Sequence, residues 1–160
     1  MCILTCIRQL NNNLLNDDCI DVNDDCELVI DLHNEHVILE ADRYQEHGHK
    51  MCDYIVYFYC NRIIVLILEL KSNNPDILEV FEKLENGYER AYNILTDCMN
   101  EDTKYALIPA LICKSVAPSA RKKLLRKRIK CGSNNSSPTV HPCGINCREL
   151  FKERGIRDCN

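Results

Sequence analysis

Asp53, Glu69 and Lys71 are the residues whose types and spacing best suit chemistry on a phosphate ester. Glu69 and Lys71 are two positions apart, so on an extended strand they point to the same face. Suppose the segments around them form an antiparallel hairpin with Cys60, Asn61 and Arg62 as its loop. The numbers of directly opposed residues then add to 122, and Asp53 lies across from Glu69, with side chains about 5 Å apart. A two-residue loop makes the pair diagonal instead. Carboxylates this close repel each other, and charge at the end of an apolar hairpin is costly without a partner. A divalent cation is the natural counter-charge. Mg²⁺, or Mn²⁺ in its place, takes oxygen ligands and keeps several waters, and a metal-acidified water can attack a phosphodiester. Lys71 could orient that water or stabilise developing negative charge. The plainer alternative is a solvated hairpin end with a Glu–Lys pair.

The elements that must hold these residues are legible around them. Residues 53–59 (DYIVYFY) and 63–70 (IIVLILEL) are rich in aromatic and β-branched types. Both are apolar on both faces, which predicts a hairpin central to a sheet and covered on both sides. Residues 27–32 (ELVIDL) and 35–40 (EHVILE) read as two strands of a second hairpin split by His33 and Asn34. Ile3, Leu4, Ile7, Leu10 and Leu14 have helical spacing over residues 3–15, and the Asn-rich acidic residues 16–25 read as a loop. A longer helix opens at Asn74–Pro75, with Asn74 as candidate N-cap and a stripe at Ile77, Phe81, Leu84, Tyr88, Ala91 and Leu95. Residues 105–113 (YALIPALIC) predict a buried strand, with Pro109 at a bulge or edge position.

An Asp followed at about this distance by Glu-x-Lys across a β-hairpin resembles the PD-(D/E)xK nuclease superfamily, which includes restriction-type endonucleases and archaeal Holliday-junction resolvases. The resemblance covers roughly residues 3–130. It implies an α/β fold of the restriction-endonuclease-like type, a mixed central sheet flanked by helices. It also implies Asp53 and Glu69 as metal ligands, the main-chain carbonyl of Leu70 as a further ligand, and Lys71 as the catalytic lysine. Two features depart from the pattern. Cys52 precedes Asp53 where many members have proline, and the helix at 3–15 carries no glutamate. Glu46, in the loop leading to Asp53, is favoured over Glu27 and Glu40 as a substitute third acidic ligand.

Charge is unevenly spread. Residues 1–50 hold 11 acids and 3 bases, residues 51–112 hold 10 and 5, and residues 113–160 hold 3 acids and 12 bases. Seven cations, Arg121, Lys122, Lys123, Arg126, Lys127, Arg128 and Lys130, crowd into residues 121–130. Residues 118–130 read as one basic helix anchored by Leu124, Leu125 and Ile129. Its free face suits phosphate contacts that do not read sequence. DNA is the expected partner. Pairing of the basic third with the acidic body of the same fold is the competing explanation.

Twelve cysteines are many for 160 residues. Mostly reduced, partly buried thiols are the expectation. Cys131, Cys143, Cys147 and Cys159 cluster late in the chain beside His141. They form a minor candidate for zinc or an iron–sulfur cluster, without the paired CxxC knuckles usual in structural zinc sites. His33, His36, His47 and His49 read as loop or surface residues, the last two near the entrance to the Asp53 site.

The length suits one domain, divided by composition into a nuclease-like core at 1–131 and an extension at 132–160 that begins with the linker-like GSNNSSP. The longest apolar run, residues 63–68, is far below the ~20 residues of a membrane helix. The start has no signal-peptide pattern, so an intracellular, cytoplasmic setting is expected. These readings converge on a metal-dependent DNA endonuclease, possible as a homodimer that cuts two strands. The rival is an inactive module of the same fold that binds nucleic acid or a protein partner.

Overall fold

The computed structural model describes residues 2–44 and 48–159. Its framework is a six-stranded mixed sheet in the order β1-β4-β5-β6-β7-β10. The strands are β1 (Leu15–Asn16), β4 (His36–Glu40), β5 (Tyr54–Tyr59), β6 (Ile63–Asn73), β7 (Tyr105–Ser115) and β10 (Thr139–Pro142). β1, β4, β5 and β6 are antiparallel neighbours, whereas β6, β7 and β10 run parallel. On one face lie α1 (Ile3–Leu10), α2 (Ile77–Cys98) and α3 (Pro118–Leu125), which contribute Leu4, Ile7, Leu84, Tyr88, Ala91 and Leu124 to a core over Ile55, Tyr57, Val65 and Ile67. On the other, α4 (Cys147–Glu153) and a small pair, β2 (Cys19–Asp21) with β3 (Cys26–Leu28), cover Val56, Phe58, Leu66, Leu68 and Leu70. The first eight residues of β6 are all buried. At roughly 1.5–3 kcal/mol per buried aliphatic side chain, this strand is the main apolar investment of the fold.

The expected central hairpin forms in the expected register. Tyr54 faces Leu68 and Tyr59 faces Ile63, so opposed residues add to 122. The loop is Cys60–Arg62, with Asn61 in the left-handed region at φ 58° and the Cys60 N–H donating to the Arg62 carbonyl. Pro109 is buried in β7, one residue before the stretch that β10 pairs. There only β6 flanks the strand, so a missing N–H is tolerated.

Other expectations are corrected. Residues 27–32 and 35–40 do not form a hairpin. All three central residues of β4 are buried, so this strand sits inside the large sheet, while β3 pairs with β2 and buries Cys26 and Leu28 in the second core. Residues 16–25, read as a loop, contain β2. The first helix stops at Leu10, and Leu10 itself is exposed. The α2 cap is Asp76, which accepts from the Leu78 and Glu79 N–H groups. Asn74 sits before the helix at φ 40°, its N–H donating to the Ser115 carbonyl.

The basic helix ends at Leu125, because Ile129 turns into the core as the start of β8 (Ile129–Cys131). The GSNNSSP segment is no linker: β8 and β9 (Asn134–Ser136) form a hairpin, with Gly132 at φ 59° in the turn position that a type II′ turn gives to glycine. The compositional boundary at 131/132 therefore falls inside the fold. Residues beyond it supply the sixth strand and, through Leu150 and Phe151, part of the second core.

Six of the twelve cysteines are bridged, as Cys6–Cys98, Cys26–Cys143 and Cys60–Cys159. Mostly reduced thiols were therefore too simple an expectation. Each bridge spans 92 to 117 residues, and loop closure on that scale removes on the order of 4 kcal/mol of unfolded-state entropy. Such bridges persist in oxidising surroundings and in intracellular proteins of hyperthermophiles. No helix among the described residues is long and apolar enough to cross a membrane.

The approach of α2 to the sheet depends on Gly87. A Cβ there would collide with the Cys52 Sγ and lie 2.8 Å from the Ile67 Cγ2. Gly87→Ala is expected to destabilise the protein by about 1–3 kcal/mol, the cost of overpacking, with Cys52→Ala in the same chain restoring part of it. Thermal unfolding measures both. An unchanged midpoint in Gly87→Ala would mean that α2 can rise off the sheet freely.

Candidate active site

The site is built where β6 leaves the core. Up to Leu70 the strand is buried, and Lys71 is its first partly exposed residue. Odd-numbered residues of β6 face α2 and even-numbered ones face α4, so Glu69 and Lys71 point together toward α2. Asp53 lies just before β5, past the last paired residues, Tyr54 and Leu68: its N–H donates to the Leu68 carbonyl at 3.0 Å, and its Oδ2 accepts from the Leu70 N–H at 2.7 Å. These bonds hold the Asp53 carboxyl at the end of β6, close enough to feel the charges of Glu69 and Lys71, but Asp53 is not the paired residue across from Glu69 that the expected register gave.

Glu69 is 0% exposed. Its Oε1 is held by two ammonium groups, Lys83 at 2.8 Å and Lys71 at 3.2 Å. Its Oε2 is buried and has no hydrogen-bond partner among the described residues. Lys83, 16% exposed in its side chain, also approaches Glu79 at 3.7 Å. Burial by itself lowers Lys83, but the hydrogen bond and charge of Glu69, with Asp53 and Glu79, outweigh it and leave the ammonium more firmly protonated than an ordinary lysine. Asp53 shifts the other way. Burial first, then the Glu69 charge, push its carboxyl from the ordinary 3.8 up to about 7, against the Leu70 hydrogen bond and the two lysines. Behind them, burial and the charges of Glu69 and Asp53 push the Cys52 thiol up, keeping it neutral.

Lys83 is the residue that sequence reasoning missed. A signal was present: it lies three residues after Val80 and four before Gly87, both buried against the sheet, so a cation there borders the sheet-facing stripe. Asp42 is a second addition, brought near by the Ala41 N–H bond to the Asp53 carbonyl. Its carboxyl is raised by partial burial and by Glu40, and lowered by Arg43 and Lys83. Glu46 and His47 lie outside the described residues. Glu40 pairs with Arg43 at 2.9 Å and Glu27 lies in β3 on the far side of the sheet. Among the described residues, no group of three or more His, Cys, Asp or Glu side chains is arranged to hold a metal ion. Asp53 and Glu69 form a pair of carboxylates with two lysines.

The other predicted groups are placed as follows. Arg121, Lys122 and Lys123 are exposed on α3, Arg126 and Arg128 are exposed just after it, and Lys130 is exposed on β8. Lys127 is half-buried and lies 4.4 Å over the Phe81 ring. None of the seven makes an ion pair among the described residues, while Lys114 and Arg148 do pair with Asp25 and Asp31. Internal neutralisation thus takes up some bases of the C-terminal third but spares this run. Cys143 and Cys159 are held in disulfides, Cys147 is buried at the start of α4 and Cys131 lies on β8. The late cysteines are not brought together as a thiolate set. His33 and His49 are exposed, as expected, and His36 bonds the Asn34 carbonyl.

No family model matches the chain, and no curated protein or solved structure does either.

The raised Asp53 carboxyl predicts a pH dependence. Between about pH 4 and 7 the unfolded chain loses this proton while the folded chain keeps it, so the contribution of Asp53 to stability falls as pH rises and levels off above 7. The loss is on the order of 1.4 kcal/mol per pH unit within that window. Asp53→Asn, which can still accept from the Leu70 N–H, should remove that part of the slope. In thermal unfolding with EDTA the variant should match wild type near pH 4 and exceed it at pH 7. Parallel curves would show that Asp53 ionises as an ordinary surface aspartate.

Proposed function

We propose that the protein is a metal-dependent nuclease that hydrolyses DNA phosphodiester bonds, working as an endonuclease with a fold of the restriction-endonuclease-like type. The observation that carries the reading is the pairing of a fully buried Glu69, one oxygen without a partner, with an Asp53 whose carboxyl is pushed up to about 7. Burial and the Glu69 charge both oppose ionisation of Asp53, and added positive charge would offset them. The order α1, β4, β5, β6, α2, β7 supports the same reading, since it is the helix–strands–hairpin–helix–strand order that the resemblance implies.

The donor set fits a hard divalent cation in part. The free oxygen of Glu69 and the second oxygen of Asp53 would hold Mg²⁺ or Mn²⁺, with the Leu70 carbonyl as a third oxygen. Bound there, the ion would supply an acidified water and neutralise a phosphate oxygen. The side chains of this protein do the rest. Lys83, 2.8 Å from Glu69 Oε1, holds that side chain in place. Lys71, 28% exposed in its side chain, is the cation that a phosphate can reach, and it stabilises charge developing on the phosphate oxygens. The unpaired cations at 121–130 hold the DNA backbone. Homodimerisation, giving two sites for two strands, and an intracellular setting belong to the same proposal.

A second reading rests on one observation: Lys83 already supplies Glu69 with a counter-charge, as a tethered cation would in a module that binds nucleic acid or a protein partner without cutting. One experiment separates the two. Plasmid, single-stranded and branched DNA are incubated with Mg²⁺ or Mn²⁺ and with wild type, Asp53→Asn, Glu69→Gln or Lys71→Ala. Wild type should cut. The two carboxylate variants should lose metal affinity and cleavage together, and Lys71→Ala should keep metal and DNA binding but lose about 10²–10³ in rate. Cleavage by Asp53→Asn equal to wild type would overturn the site assignment, and no cleavage by wild type would favour the binding module. Reversing Arg121, Lys122, Lys123 and Arg126 to Glu should abolish DNA binding with the fold intact, and wild-type binding should weaken steeply with salt. Undiminished binding would place the contact surface elsewhere.

A further inference from the structure

Beside the carboxylate site the sheet opens into a second feature that the foregoing chemistry does not use. β7 and β10 are adjacent parallel strands. β7 leads into α3, whose Leu124 joins the core on the α2 face. β10 leads into α4, whose Leu150 and Phe151 join the core on the other face. In open α/β sheets, neighbouring parallel strands whose following helices depart to opposite faces leave a crevice outside their carboxyl ends, and ligands bind there. This protein has such a crevice, of about 440 Å³, lined by Lys114 and Ser115 of β7, Arg121 of α3, His141 of β10 and Glu153 of α4.

Its polar groups are arranged for an anion. Arg121 is exposed and makes no ion pair among the described residues. The Ser115 hydroxyl already donates its proton to the Asn73 side-chain oxygen at 2.9 Å and lines the crevice without serving it as a donor. Lys114 holds Asp25 at 2.8 Å, but that carboxylate is itself largely in water, where such a pair is weak and readily exchanged. The wall is rigid: His141 is 5% exposed, with its Nδ1 2.9 Å from Glu153 and its Nε2 3.0 Å from the Thr139 hydroxyl. The Nδ1–Glu153 approach falls short of hydrogen-bond geometry, and the ring acts as wall and reporter. Cys113, also in the lining, is the β7 partner of Lys71, so the strand that lines the crevice is the direct neighbour of the strand that carries Lys71.

We infer that this crevice is a phosphate-binding subsite, anchored by the Arg121 guanidinium with Lys114, that takes a phosphate group of a nucleic-acid strand neighbouring the one presented to Asp53, Glu69 and Lys71. Its placement along the strand rests on the proposed nuclease reading, whereas phosphate recognition does not. Arg121 serves here because its planar fork matches phosphate oxygens two at a time.

The test is run in EDTA at low salt, so that no cleavage is required. The His141 ring signals are followed by NMR during titration with thymidine 5′-monophosphate, with tetrathymidylate, and with 5′-phosphorylated tetrathymidylate. A saturable shift is expected. Arg121→Gln should weaken it about tenfold or more, as for loss of a charge-assisted hydrogen bond, while Lys152→Gln, an equal charge change on α4, should leave it unaltered. Binding of only the 5′-phosphorylated probes identifies a terminal phosphate as the ligand, and equal binding of both oligonucleotides identifies an internal phosphodiester; either supports the subsite. No saturable shift with any probe, or equal weakening in Arg121→Gln and Lys152→Gln, overturns it. A protein that shows the shift yet cuts no DNA retains the subsite and loses only the nuclease reading.

Discussion

The architecture turns on one buried charge. Glu69 ends the most deeply buried strand of the protein, and a carboxylate removed from water must be matched by a partner held in good geometry. Lys83 is that partner, and it reaches Glu69 only because α2 lies close against β5 and β6. Close packing in turn depends on the absence of a side chain at Gly87, one turn farther along the helix. Apolar packing, helix placement and site electrostatics are therefore one problem. The helix that covers the sheet also delivers the ammonium that allows the sheet to end in a charge.

Compensation at Glu69 remains incomplete, and the incompleteness has chemical content. Two lysines share one oxygen and the other oxygen has no partner among the described residues, while Asp53 nearby is held near neutrality by burial and by Glu69. A carboxyl perturbed by burial and a neighbouring charge is more frequent at functional sites than in ordinary surface networks. Asp53 resists ionisation until more positive charge arrives.

The rest of the fold brings cations to the same end of the sheet. β6, β7 and β10 run parallel, so their carboxyl ends open on one side, carrying Lys71, Lys114 and the crevice beside His141. α3 follows β7 directly and presents Arg121, Lys122 and Lys123 to solvent. The acidic N-terminal residues neutralise selected bases, Asp25 with Lys114 and Asp31 with Arg148, and leave the run at 121–130 unpaired. Long-range bridges such as Cys26–Cys143 and Cys60–Cys159 tie β3 and the central hairpin loop to the C-terminal segment.

The sequence by itself determined the central hairpin and its register. Two long runs of β-branched and aromatic residues around three loop residues predict an antiparallel pair buried on both faces, and the three-residue loop gives the pairing of Tyr54 with Leu68 through Tyr59 with Ile63; where Asp53 sits at its end was left to the tertiary structure. Helical periodicity likewise determined α2 and the short α1. Tertiary structure decided what depends on partners distant in the chain. Composition reads residues 132–138 as a linker, yet Gly132 makes a tight turn and the following strand completes the large sheet, because β7 offers it an edge. Residues 27–32 have strand character, but only the competing covers for the two faces decide that β3 joins β2 and not β4. Cysteine pairing is illegible in a chain where many connectivities are possible, since it requires two Cα atoms within about 6 Å. Lys83 was hidden for the same reason. A lysine beside an apolar stripe reads as surface until the sheet beneath it is known to end in a carboxylate.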